Sequence, residues 1–235
     1  MNSNVASGLR DAGGKRAEYV FEAPVRLWHW VHTFSFLTLA VSGYLIAHPL
    51  PSPIGEASSH FMMGNIRLVH FISAYFLAIG FAVRIYWAFV GNKHSREIFM
   101  LPIWRGRWWR GLLHEVKYYL FLTPREDKRL GHNPLAQTAM FFFNTVMTFF
   151  MIITGFALYG QGLGQGSWAD RMFGWIIPML GDGEGTRNWH QLGMWVMLMF
   201  IIVHIYMAVR ADMVGKRSSV SVIIGGWRMF RDDDS

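Results

Sequence analysis

The sequence predicts an all-α integral membrane protein: a four-helix bundle with both termini cytoplasmic and interfacial helices in the central cytoplasmic loop. Three observations predict it. Four apolar runs, roughly Val25–His48, Met63–Val90, Pro134–Tyr159 and Asn188–Arg210, reach the length of about 20 residues that a helix needs to cross the hydrocarbon core. The alternating pattern of barrel strands is absent, and only helices or closed barrels satisfy backbone polar groups in lipid. Positive charge is sorted by loop. Segment 91–133 holds nine Lys or Arg and the tail from Arg210 holds five, whereas loop 49–62 holds none and loop 160–187 only Arg171 and Arg187. The positive-inside rule then puts both ends and the central loop in the cytoplasm and the other two loops outside.

Composition narrows the chemistry. Of 235 residues, 52% are hydrophobic and 16% aromatic, and the net charge of +7 follows topology, so nucleic acid is not an expected partner. Cysteine is absent. Disulfides, thiolate clusters and covalent C-x-x-C-H haem attachment are therefore excluded. Any metal needs histidine, carboxylate or carbonyl ligands, and any haem is held non-covalently. No cleavable signal is expected, because the polar start runs about 24 residues and the apolar run after it is too long.

Residues 1–20, rich in Gly, Ser, Ala and charge, are expected to be a flexible cytoplasmic N-terminus. Residues 21–210 form the membrane domain and 211–235 a cytoplasmic tail. Glu22-Ala23-Pro24 places an acid and a proline at a first helical turn. The first span reads VRLWHWVHTFSFLTLAVSGYLIAHPL and stops at Pro49. The second reads GNIRLVHFISAYFLAIGFAVRIYWAFV and ends at Gly91-Asn92. In the central loop, LPIWRGRWWRGLLHEVKYYLFL has charges breaking every apolar stretch. It is too interrupted to span, and one or two helices in the membrane interface are expected, a solvated loop being the alternative. The third span follows GHNPLAQ and lacks an intramembrane histidine. The Gly-rich outer loop has an amphipathic middle, Trp168–Leu180.

Five of the ten histidines, His29, His32, His70, His190 and His204, are embedded in spans. A polar side chain there is costly and usually functional. His190 and His204 lie 14 residues apart on the fourth span. That is close to four turns, so both project from nearly one face, with roughly 21 Å of rise between them. Depth sorts the histidines into two layers: His29 with His204 on the cytoplasmic side, His70 with His190 on the outer side. Two imidazoles facing each other across a bundle are the axial set of a six-coordinate haem, a carrier of electrons. His32 competes with His29, whose depth matches His204 better. A hydrogen bond to a neighbouring helix is the plainer account of any single histidine. Zinc or copper would want three or four ligands in one layer, and a proton relay would want intramembrane carboxylates.

Arginine stands three residues before three of these ligands: Arg26–His29, Arg67–His70 and Arg187–His190. Neighbours at i and i+3 on a helix could serve haem propionates, with snorkelling as the alternative. Arg84 fits the inner layer or snorkels. Gly43, Gly80, Gly155 and Gly193 let groups approach closely, and Gly193, one turn from His190, is the best placed to admit a macrocycle.

The stretches EAPVRLWHW, GYLIAHPLPSPIGEA, MGNIRLVHF, RIYWAFVGNKHSREIF, GHNPLAQTAMF, MIITGFALY, NWHQLGMW and VHIYMA run through all four spans. In them the chain resembles the b-type cytochrome subunit of membrane-bound [NiFe] hydrogenases and, more distantly, the membrane cytochrome of respiratory formate dehydrogenases. The resemblance implies two haem b groups, the cytoplasmic one on His29 and His204 and the outer one on His70 and His190. It implies a hydrogenase small and large subunit on the periplasmic side, an inner-membrane location, and a quinone as acceptor near the cytoplasmic haem, held with the help of Asn133. Asn133 followed by Pro134 also suits a helix N-cap. The chain itself would carry no hydrogen-activating site. The rivals are the cytochrome of another periplasmic oxidoreductase, a structural anchor, and a metal or proton transporter.

Overall fold

A computed structural model describes residues 9–10, 15–51, 61–120, 122–123, 134–215 and 219–231. In chain order these form β1 (Leu9–Arg10), β2 (Lys15–Tyr19), α1 (Ala23–Ala47), α2 (Met62–Val90) and a 3-10 turn at Lys93–Arg96. Then come α3 (Gly106–Tyr119), α4 (Pro134–Ala139), a π-helical stretch Met140–Val146, and α5 (Met147–Leu163). The chain continues with α6 (Trp168–Phe173), α7 (Ile176–Met179), α8 (Gly183–Gly215), α9 (Ser219–Gly225) and β3 (Trp227–Arg231). Four helices are long and apolar enough to cross a membrane: Ala23–Ala47, Met62–Val90, the continuous Pro134–Leu163, and Gly183–Met213. The protein is a multi-pass membrane protein with the expected four spans.

By contacts the chain divides into two compact units. One comprises the described residues within Leu27–Arg84 and Thr148–Leu198. The other comprises those within Met1–Arg26, Ile85–Met147 and Met199–Ser235.

In the first unit, segments of all four spans close a ring. Gly80 of α2 backs onto Trp28 and Val31 of α1. Phe71 of α2 meets Tyr159 of α5 at 4.8 Å between centroids, and Tyr75 meets Phe156 at 5.5 Å. Thr154 of α5 touches His190 of α8, and Tyr44 of α1 meets Trp195 of α8 edge-on at 6.3 Å. Polarity is inverted relative to a water-soluble bundle. Ser35, Ser42, Thr148, Thr154, Thr186 and Arg84 are buried, while Phe34, Val41, Phe76 and Ile79 are exposed. Lipid supplies no hydrophobic drive between helices, so small and polar residues join large ones such as Phe36, Leu77 and Phe81 at the buried contacts. Phe156 of α5 stacks on Phe173 of α6 at 5.3 Å.

In the second unit, Glu22 is a junction. Its Oε2 accepts from Trp87 Nε1 and from the Asn92 backbone N–H, each at 3.0 Å, and from Ser95 Oγ at 3.3 Å. Asn92 Nδ2 donates back to the Val20 carbonyl. The entry to α1 is thereby tied to the exit of α2. Gln137 of α4 accepts from Trp108 Nε1 of α3 and donates to the carbonyls of Glu97 and Met100. Buried Trp108, Gly111 and Glu115 share one face of α3, while Trp109 and Leu113 are exposed. The interrupted apolar stretch of the central loop is thus an amphipathic helix.

Two features depart from the sequence reading. Segment 1–20 was expected to lack regular structure, yet β2 pairs antiparallel with β1 and with β3, Tyr19 opposite Trp227. Their rings meet at a tilt, 5.1 Å between centroids. The partner strand lies more than 200 residues away, so local composition carries no trace of it. The fourth span also starts at Gly183, not Asn188. Asp182 caps it, with Oδ1 accepting from the Gly185 backbone N–H at 2.7 Å. Hydropathy marks the part of a helix inside lipid, not the capped turn that precedes it.

Candidate functional site

The outer pair of histidines falls wholly within the first unit. His70 projects from α2 and His190 from α8, both half-buried, within electrostatic range of each other. Each ring is held by a different neighbouring helix. Ser42 Oγ on α1 lies 2.9 Å from His70 Nδ1. Thr154 Oγ1 on α5 lies 2.8 Å from His190 Nδ1. Both hydroxyls also reach the carbonyl four residues back on their own helix: Ser42 to Thr38 at 2.6 Å, Thr154 to Phe150 at 2.7 Å.

A glycine follows each hydroxyl residue. A Cβ on Gly43 would stand 3.2 Å from His70 Cε1, and a Cβ on Gly155 would stand 3.2 Å from His190 Cε1. Both rings therefore lie against bare backbone. Ser42 and Thr154 are site residues that histidine spacing does not reveal. Their trace in the sequence is the dipeptide Ser-Gly in the first span and Thr-Gly in the third. The glycines crowded by these histidines are Gly43 and Gly155; Gly193, read from the sequence as room for a macrocycle, is buried in α8.

On α1, His29 and His32 are both half-buried and within electrostatic range of each other. His32 packs against Trp28 at 5.1 Å, and His29 meets Trp30 edge-on at 5.4 Å. The buried guanidinium of Arg84 sits 5.3 Å over the Trp28 ring. Within the other unit, His204 of α8 stacks on Phe200 at 5.7 Å, and Phe200 stacks on Phe143 of the π-helical stretch at 4.7 Å. A π-bulge inside a helix is frequently a functional device.

The three arginines differ. Arg67 and Arg187 are exposed, with no ion-pair partner among the described residues. Arg26 donates to the Ile224 carbonyl. Asn133 lies outside the described residues. Among the described residues, no three His, Asp or Glu side chains gather into a metal-binding group. His70 and His190 form a pair of imidazole donors from two different helices.

The comparisons place the chain in a family. A family described as "Prokaryotic cytochrome b561" matches residues 20–226. A protein of Azotobacter vinelandii described as "Probable Ni/Fe-hydrogenase B-type cytochrome subunit" is 55% identical over 217 residues, covering 92% of this chain and 90% of its own. One of Cupriavidus necator with the same description is 49% identical over 223 residues, covering 94% and 91%. The Escherichia coli K12 "Probable Ni/Fe-hydrogenase 1 B-type cytochrome subunit" is 44% identical over 219 residues, covering 92% of each. Four apolar spans, histidines set in their interior, and this match along nearly the whole chain lead to one conclusion: the protein belongs to the prokaryotic cytochrome b561 family, among the b-type cytochrome subunits of hydrogenases.

Proposed function

We propose that this chain is a dihaem cytochrome b that anchors a periplasmic [NiFe] hydrogenase in the inner membrane. It would pass electrons from the hydrogenase's iron–sulfur clusters across the membrane to a quinone. The observation that carries the proposal is the outer pair, His70 and His190, each backed by a hydroxyl and a glycine from a neighbouring helix. Bound between paired imidazoles, a haem iron has no open position and carries single electrons without binding oxygen. The chain contributes axial ligands, position and a water-poor surround. His70 and His190 would hold the outer group, and His29 and His204 the inner one, with Arg67 and Arg187 available to outer propionates. Arg26, committed to the Ile224 carbonyl, serves α1 first and a propionate second. Asn133, just before α4, would help position the quinone.

The pairing of β2 with β3 supports the proposed topology. It requires the segments before the first span and after the last to share one side of the bilayer, and the distribution of Lys and Arg makes that side the cytoplasm.

An absorption spectrum of the purified protein tests the reading. Reduced b-type bands with about two haems per chain are expected if His70 with His190 and His29 with His204 each hold one. His70→Ala should remove one haem and spare the other. A wild-type protein that purifies folded and without haem would leave only a membrane anchor, and loss of both haems in His70→Ala would sink the layer assignment.

A further inference from the structure

We infer that Ser42-Gly43 and Thr154-Gly155 are matched positioning devices, which fix the tautomer and ring plane of His70 and His190 and so set the redox potential of the outer haem. The inference rests on the outer-haem reading above and goes beyond it, because it concerns residues that are not ligands.

A hydroxyl has one proton to give. Ser42 Oγ is 2.6 Å from the Thr38 carbonyl and Thr154 Oγ1 is 2.7 Å from the Phe150 carbonyl. A carbonyl can only accept, so each hydroxyl spends its proton there. What faces the imidazole is then an oxygen lone pair, at 2.9 Å from His70 Nδ1 and 2.8 Å from His190 Nδ1. Nδ1 must be the protonated nitrogen, and Nε2 carries the free lone pair. Both rings are thereby prepared to ligate iron through the same nitrogen.

The glycines fix the remaining freedom. With the Nδ1 edge bonded to the hydroxyl, the adjacent Cε1 lies against the next residue of the same helix. A Cβ at either position would stand 3.2 Å from the ring and push it by a few tenths of an ångström, so glycine is what lets the ring keep this plane. The dipeptide therefore sets tautomer and plane together. It recurs on α1 for a ligand from α2, and on α5 for a ligand from α8.

The chemical consequence is a property of the iron. An imidazole whose Nδ1–H is hydrogen-bonded is a stronger donor, and such supporting partners commonly matter 10–100-fold for metal affinity. A stronger axial donor favours the ferric state. Removing either hydroxyl should raise the outer haem's potential.

The test uses the full chain in its hydrogenase complex, with Thr154→Val and Ser42→Ala as the informative variants and Thr154→Ser and Ser42→Thr as controls. Haem content, a spectroscopic redox titration and the ferric low-spin EPR signals are read, none of which depends on turnover. In Thr154→Val and Ser42→Ala, one haem should shift to higher potential. Its ferrous-to-ferric ratio at fixed ambient potential should change severalfold, up to roughly tenfold, tenfold being about 59 mV for one electron. The other haem should stay, and the hydroxyl-retaining controls should match wild type. If a hydroxyl-free variant loses the outer haem altogether, retention in Thr154→Ser upholds the inference and loss there overturns it. Unchanged potentials and EPR signals in both hydroxyl-free variants also overturn it. If wild type holds two haems and His70→Ala loses one, that failure belongs to the hydroxyls alone; if wild type holds none, the outer-haem reading fails first.

Discussion

At residue scale, the outer histidines are governed by space as much as by hydrogen bonds. A Cβ at Gly155 would press on His190 Cε1 at 3.2 Å, whereas one at Gly80 would meet Trp28 and Val31 at an ordinary 3.7 Å. Overpacking of a tight site typically costs about 1–3 kcal/mol. Gly155→Ala is therefore expected to lower the yield of one haem or distort its EPR signal, and Gly80→Ala to leave both haems as in wild type. Equal behaviour of the two variants would count against a crowded His190. The candidate ligands themselves were legible, because a histidine in an apolar run stands out against its neighbours. Ser42 and Thr154 were not, because a serine or threonine in a membrane helix is common and its own backbone carbonyl is a sufficient partner. Only the approach of a second helix distinguishes them.

At the scale of elements, spans are easy to read and joints are not. The first three spans begin and end within about four residues of their hydropathic limits, since lipid demands an unbroken apolar length. Glu22 looked like a helix-start acid, and α1 does begin beside it at Ala23. Its carboxylate, however, serves Trp87, Asn92 and Ser95 at the far end of α2. Glu22→Ala would take the acceptor from Trp87 Nε1 and from the Asn92 backbone N–H, while Ser95 Oγ keeps Asn92 Oδ1 at 3.2 Å; each part-buried donor left short costs about 1–3 kcal/mol. The expected result is a lower thermal midpoint in detergent, while Asp170→Ala in the outer loop shows a different, local effect on α6. An unchanged midpoint in Glu22→Ala would show that water replaces the carboxylate. Gln137 is the corresponding joint between α3 and α4. Gln137→Leu removes the acceptor of buried Trp108 and the donor to two carbonyls. It should loosen α3, seen as faster proteolysis between residues 100 and 120, and no change in cleavage would mean that α3 is held by its apolar face alone.

At the scale of the whole molecule, four spans and the loop charges agree on topology. Reporter fusions at the C-terminus are expected to be active in the cytoplasm, and fusions within loop 49–62 on the opposite side. A C-terminal reporter active outside would reverse the assignment of all loops together. The number of spans and their order were legible because bilayer thickness leaves little choice. The sheet was not, since its three strands are 2, 5 and 5 residues long and are drawn from the two ends of the chain.

That sheet imposes an order on biosynthesis. β2 precedes the first span and its neighbour β3 follows the last, so β2 is made before all four spans and β3 after them. The register that sets Tyr19 opposite Trp227 is out of reach until every span and β3 itself have been made. The seam between these flanking strands therefore closes only after all four spans have been made. A chain stopped before Trp227 would keep all four spans and lack this closure.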